Sequence, residues 1–157
     1  MREAMALVLQ FCEKFGVTYR SRPILPSAEE LKLRVKLIHE EANEFDDSTA
    51  RGDLVGMADA LADLTYVVLQ AALVCGIDLD PVFREVHRSN MTKVWEDGTV
   101  HRREDGKILK PPTYSPADVA RVLGEQVFGA PRRRTWLEAV LFGMAEEGGS
   151  DGSNPND

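Results

Sequence analysis

The sequence predicts an all-α fold, a four- to five-helix bundle with a short C-terminal hairpin or ordered loop. Two observations carry this. Apolar residues recur at 4-3-4-3 spacing along two successive segments, Leu31, Val35, Ile38, Ala42, Phe45 and then Leu54, Met57, Leu61, Leu64, Val68, Ala71, which is the seam of one helix packed on another. The segments are separated by short turns carrying helix stop and start residues.

Each element follows from local signals. Glu3 to Phe15 places Leu7, Val8, Phe11 and Phe15 on one stripe and stops near Gly16, as a first helix would. Tyr19 to Pro26, with Arg20, Arg22, Pro23 and Pro26, is a loop. Ser27 with Glu30 is a capping box that starts the second helix. Arg51-Gly52 ends it, and Asp53 caps the third, which runs to Cys75-Gly76. The fourth is expected to use Asp80 as N-cap and Pro81 as first residue, continuing through Val82, Val86 and Asn90 toward Trp95. Asp97-Gly98 and Asp105-Gly106 are turns flanking Thr99–Arg102 and Lys107–Leu109, a small hairpin or polar loop stopped by Pro111 and Pro112. A short helix, Asp118 to Leu123, and a last one, Arg132 to Ala145, precede a Gly/Ser/Asn/Asp-rich tail. The expected organisation is residues 1–125 as the domain, 126–147 as a helical extension and 148–157 as a disordered tail.

Composition narrows the function. The 157 residues suffice for one domain with a core. Cys12 and Cys75 alone cannot build a disulfide scaffold or a four-cysteine zinc site. No run is read as a membrane span and no signal-peptide pattern opens the chain, so a cytoplasmic protein is expected. The net charge of −7 is localised: Glu40 to Asp63 holds eight acids and one base, and the rest balances. A nucleic-acid face is therefore not expected; a concentrated acidic site is.

Within the second helix, Glu40 and Glu44 are four apart and Glu41 and Glu44 three apart, so each pair shares a face. Such pairs repel unless a cation lies between them. Lys36 is the only base at helical spacing from the three glutamates. On the third helix Asp59 and Asp63 lie in an otherwise apolar run, where carboxylates are costly unless paired or coordinating. If the two helices are an antiparallel pair, four or five carboxylates converge, and an all-oxygen donor set suits Mg²⁺ or Mn²⁺. The plainer alternative is a solvated acidic face. A di-iron bundle is disfavoured because neither His39 nor His87 follows a Glu by three residues.

A basic group follows: Arg84, His87, Arg88, Asn90 and Lys93, then Arg102, Arg103, Lys107 and Lys110. Lys and Arg take the non-bridging oxygens of a polyphosphate whose charge Mg²⁺ partly neutralises; interspersed acids make a mixed surface the alternative. Tyr66 lies one turn after Asp63 and is a candidate nucleotide contact. Cys12 and Cys75 read as small buried hydrophobes, Trp95 and Trp136 as core or subunit contacts, His87 as a surface or packing residue and His101 as a loop residue.

Glu40-Glu41-x-x-Glu44, then Asp59-Ala60-Leu61-Ala62-Asp63-Leu64-x-Tyr66-Val67-Val68, then Gly76-Ile77-Asp78 resembles the all-α NTP pyrophosphohydrolase superfamily, which includes MazG, dimeric dUTPases and phosphoribosyl-ATP pyrophosphohydrolase. Glu85-Val86-His87-Arg88-Ser89-Asn90-Met91-x-Lys93 and Arg103-Glu104-Asp105-Gly106-Lys107-x-Leu109-Lys110 look like its MazG-like, dUTPase-like branch. The resemblance implies a helical homodimer or dimer of dimers that hydrolyses a nucleoside triphosphate to the monophosphate and pyrophosphate. It implies Mg²⁺ on Glu41, Glu44 and Asp63, Glu40 orienting or deprotonating the attacking water, Asn90 and Lys93 on the phosphates, and Arg103, Lys107 and Lys110 assisting. The sequence departs from the family where Glu-x-x-Asp is expected on the third helix: the Glu position is Ala60, and Asp59 stands in as the candidate ligand.

The expected chemistry is in-line attack of a metal-activated water on the α-phosphorus, with dUTP or another pyrimidine deoxynucleotide as first substrate. Phe15, Tyr19 and Arg22 are candidates for the base pocket. The rivals are a nucleotide-binding regulatory dimer that lost turnover through Ala60, and a structural dimerisation domain.

Overall fold

The computed structural model describes residues 1–129 and holds five α-helices and no strand among them. Residues 1–77 and 78–129 form two units. The last helix expected from the sequence, with Trp136, and the tail lie outside the described residues.

The first unit contains α1 (Arg2–Phe15), α2 (Ala28–Arg51) and α3 (Leu54–Val74). Ser27 caps α2 as its sequence requires: the hydroxyl accepts from Glu30 N at 3.2 Å, and the Glu30 carboxylate accepts from Ser27 N at 2.9 Å. Asp53 caps α3 by accepting from Gly56 N at 3.0 Å. Met5, Val8, Leu9 and Cys12 of α1 pack with Leu69, Leu73 and Val74 of α3, all buried. α2 and α3 are antiparallel, because only Gly52 and Asp53 separate them. The crossing is tight at that end, where a Cβ on Gly56 would stand 2.8 Å from the Ser48 hydroxyl.

Arg20 ties the loop before α2 to the end of α3. Its amide donates to the Leu73 carbonyl at 3.0 Å, its guanidinium to the Val74 carbonyl at 2.6 Å and to Glu30 at 2.9 Å. Here Arg22 passes so close to Gly76 that a Cβ would meet its carbonyl oxygen at 2.0 Å.

The seams expected from spacing are displaced. On α2 the covered stripe runs through Leu31, Arg34, Leu37, Ile38, Glu41, Phe45 and Ser48, while Val35 and Ala42 are exposed. On α3, Leu54, Leu61 and Val68 are exposed and Ala60, Leu69 and Gln70 are buried. The apolar stripe is wider than one contact, and the α2–α3 contact uses only one flank of it. α3 is also long and apolar enough to cross a membrane, contrary to the reading from sequence. It is a packed helix, set against α1 and α2.

The second unit contains α4 (Leu79–Met91) and α5 (Val119–Phe128). The cap of α4 is Asp78, not Asp80: its carboxylate accepts from Asp80 N at 3.2 Å. Pro81 becomes the third helical residue, still within the turn whose amides need no carbonyl partner. α4 ends at Met91, short of Trp95, and α5 extends to Phe128, beyond the expected Leu123. Glu85 joins them, accepting from Arg88 at 2.8 Å and from Asp118 N at 2.8 Å. Gln126 and the Asp78 backbone exchange two hydrogen bonds of 3.0 Å. Between the helices, residues 97–110 make one antiparallel bridge, Arg102 with Ile108, rather than strands.

Two outcomes follow for stability. Gly52 (φ +64°) has nothing within 4 Å of a new Cβ, so Gly52→Ala costs only the left-handed penalty, about 1–2 kcal/mol. Gly76 (φ +71°) adds the collision with Arg22, so Gly76→Ala costs clearly more in urea unfolding; equal costs would show that the close approach yields freely. Hydrogen bonds from Arg88 and then Asp118 N hold the Glu85 pKa down at about 2. Its stabilisation is present above the ordinary carboxylate value of about 4.3 and is lost as pH falls through the folded value. Glu85→Gln lowers stability near neutral pH and reduces the loss across that acid window, read from urea midpoints against pH.

Candidate active site

α2 and α3 bring the acidic residues of the sequence into one neighbourhood. Glu41 lies on the covered stripe of α2, half-buried, while Glu40, Glu44, Asp59 and Asp63 are exposed. The Glu41 pKa is raised, first by burial and then by the charges of Glu44, Asp63, Glu40 and Asp59. Its charged form is thus opposed by carboxylates on both helices. Asp59 belongs to this set, whereas Ala60, one residue on, is turned into the core at 2% exposure.

Among the described residues no group of three or more His, Cys, Asp or Glu is arranged to hold a metal ion. The donor chemistry nevertheless fits a hard divalent cation: the groups are all oxygen donors, and a cation would relieve the repulsion that raises Glu41. Nothing in the α2–α3 seam offers the nitrogen or sulfur ligands of zinc or iron sites.

Tyr66, one turn along α3 from Asp63, makes an edge contact with Phe11 at 5.6 Å between centroids, and Phe11 stacks on Phe15 at 4.5 Å. Phe15 is exposed. Tyr19 is turned away, donating to Glu13 at 3.2 Å, and Arg22 is exposed. Thus of the three residues considered for a base pocket, Phe15 joins the aromatic group beside Tyr66.

The expected phosphate ligands lie in the second unit. Lys93 and Lys110 gather around Tyr114: the Lys110 ammonium lies 4.4 Å from the ring centroid, and the phenol pairs with the Ser89 hydroxyl at 2.8 Å. That hydrogen bond, then the Lys110 and Lys93 charges, hold the Tyr114 pKa below its ordinary value. Asn90 is exposed on the last turn of α4. Arg103 is engaged by Asp105, and Lys107 N donates to the same carboxylate at 3.1 Å. Arg103 thereby shapes its turn before it can serve an anion, whereas Lys93 and Lys110 present ammonium groups on one tyrosine.

Sequence reasoning passed over Arg34 and Gln70. Gln70, 6% exposed, accepts a hydrogen bond from the Arg34 guanidinium and is hydrogen-bonded to the buried Cys12 thiol. The signal was present: Arg34 lies seven residues before Glu41 and Gln70 seven after Asp63, on the same helix faces.

Because burial and like charges raise the Glu41 pKa, its ionised form costs stability above the ordinary carboxylate range, and the cost fades as pH falls through the raised value. Glu41→Gln accordingly raises the metal-free melting temperature near neutral pH. The gain vanishes in acid; an unchanged or lower melting temperature at both would contradict the electrostatic conflict.

No curated protein matches the chain. Residues 8–90, just over half of it, match phosphoribosyl-ATP pyrophosphohydrolase, a span that takes in the Glu40-Glu41-x-x-Glu44 and Asp59-x-x-x-Asp63 segments and ends at Asn90. The chain belongs to the phosphoribosyl-ATP pyrophosphohydrolase family, within the all-α NTP pyrophosphatase (MazG-like) superfamily, and is a hydrolase of phosphoric anhydrides.

Proposed function

We propose that the protein is a Mg²⁺-dependent nucleoside triphosphate pyrophosphohydrolase that removes dUTP or other non-standard nucleotides. The observation that carries the reading is the raised pKa of Glu41 amid four other carboxylates on facing helices of a pyrophosphohydrolase domain. Glu41, Glu44, Asp59 and Asp63 would hold the ion, with Mn²⁺ an acceptable substitute. Bound there, Mg²⁺ supplies charge neutralisation for the triphosphate and Lewis-acid polarisation.

The protein's own groups do the rest. Glu40, exposed beside Glu41, takes a proton from the attacking water. The water oxygen bonds to the α-phosphorus and the bond to the α,β-bridging oxygen breaks, so pyrophosphate leaves with that oxygen. Asn90, Lys93 and Lys110 bind phosphate oxygens, with Arg103 and Lys107 in support; Tyr66 contacts the nucleotide. The exposed Leu54, Leu61 and Val68 stripe on α3 and Val35 on α2 support a homodimer in which a second copy covers that face. The buried, unpaired thiol of Cys12 agrees with a cytoplasmic protein.

A second substrate, phosphoribosyl-ATP, is favoured by the family that the chain matches. A panel of dNTPs, NTPs and phosphoribosyl-ATP separates the two. The expected products with Mg²⁺ are the monophosphate and pyrophosphate, and Glu41→Gln lowers the rate about a hundredfold or more. Release of single phosphate would overturn the scissile bond; binding without turnover for any nucleotide would favour a regulatory dimer.

A further inference from the structure

Arg34 is the odd residue of the α2–α3 seam. Its Nε is buried and has no hydrogen-bond partner among the described residues. Glu30, one turn earlier, is at the spacing to pair with it. The Glu30 carboxylate instead takes Arg20 at 2.9 Å and the Ser27 amide and hydroxyl, each at 2.9 Å. Arg34 therefore makes no ion pair among the described residues and rests on the neutral Gln70 amide. The Cys12–Gln70 hydrogen bond fixes that amide from the α1 side. A buried donor without an acceptor is costly, and structures that keep one often reserve it for a ligand.

A cavity of about 260 Å³ opens at this place, lined by Val17, Thr18, Glu30, Leu33, Arg34 and Val74. Its walls are mainly aliphatic, with one guanidinium and one hydroxyl. Its volume suits a single ring system rather than a whole nucleotide. Leu33, Leu37, Glu40 and Glu44 succeed one another at 4-3-4 spacing along one flank of α2, so the cavity and the glutamates share that flank. Arg34 and Glu41 are seven residues apart, two turns or about 10 Å of rise. Gln70 and Asp63 stand equally far apart on α3, and the exposed Phe15 and the Phe11–Tyr66 contact lie on the α1 side of the same faces.

We infer that this cavity receives the nucleobase, with Arg34 donating to a keto oxygen or ring nitrogen on its edge and Gln70 positioning Arg34. The inference rests on the carboxylates between α2 and α3 being the phosphate end of the site. Glu30 in the wall argues against a phosphate as occupant, since two anions would then face each other. An uncharged planar base satisfies the donor and covers the aliphatic walls without that conflict. Arg34 is thereby a specificity residue and Gln70 a positioning residue.

The test compares Arg34→Lys, which keeps the charge and removes the Nε donor, with Leu33→Trp, which fills the cavity from an exposed position. With the best nucleotide of the panel, both should raise KM about tenfold or more and leave kcat within about twofold. Inhibition by inorganic tripolyphosphate, which has no base, should not change. Equal weakening towards nucleotide and tripolyphosphate would make Arg34 a phosphate ligand, and unchanged KM in both variants would remove the cavity from recognition; either result overturns the inference. Titration of wild type and variants with a phosphate-free nucleoside, followed by NMR, reads the cavity without turnover. If the wild type hydrolyses no nucleotide yet binds a nucleoside in an Arg34-dependent way, the proposed activity fails and the base site stands. No Arg34-dependent nucleoside binding, with KM unchanged, overturns it.

Discussion

The antiparallel register of α2 against α3 is the constraint on which the site depends. It is fixed at one end by the two-residue turn and the Ser48–Gly56 approach, and at the other by Arg34 on Gln70. Between these points the pairing leaves no freedom for Glu41 to avoid Asp63. The carboxylates meet because the backbone makes them meet. Their mutual repulsion is a local debt carried by the surrounding core, in which Met5, Leu9 and Leu73 are wholly buried. Such conflict between local charge and global packing is what a binding site looks like in an otherwise consistent fold.

Arg20 has a different part in the same arrangement. By holding the carbonyls at the end of α3 and the first turn of α2 together, it brings Glu30 into use and so releases Arg34 from its nearest acid. A capping residue and an ion pair thus decide which cation in the seam stays available. The electrostatics of the cavity are set by loop 16–27 as much as by the helices that line it.

Helix starts and stops were legible in the residues. Ser27 with Glu30, Gly52 and Asp53 each act by local hydrogen bonding or backbone conformation, which depend on few neighbours. The cap of α4 was misplaced because Asp78 and Asp80 are both able to accept an amide, and only the observed backbone chooses between them. The seams were misassigned for another reason. Val35, Leu61 and Val68 satisfy a helical period, yet a period fixes a stripe, not which edge of it meets the neighbour. The acidic set was readable because like charges at helical spacing have no structural use. Arg34 was not, since one base among apolar residues carries no pattern until its lost partner, Glu30, is seen in the arms of Arg20.

The brevity of the α2–α3 turn has a consequence for how this chain can vary. One residue added between Arg51 and Leu54 would turn α3 by about 100° and shift it by 1.5 Å, moving Asp59, Asp63 and Gln70 off the shared face together. Length changes there are all-or-nothing. The segment 97–110, tied by a single bridge, can gain or lose residues with little effect on its neighbours. Diversification by insertion is therefore open to the basic loop and closed to the acidic pair, so lineages of such proteins would differ in loop length while the helical hairpin changes only by substitution.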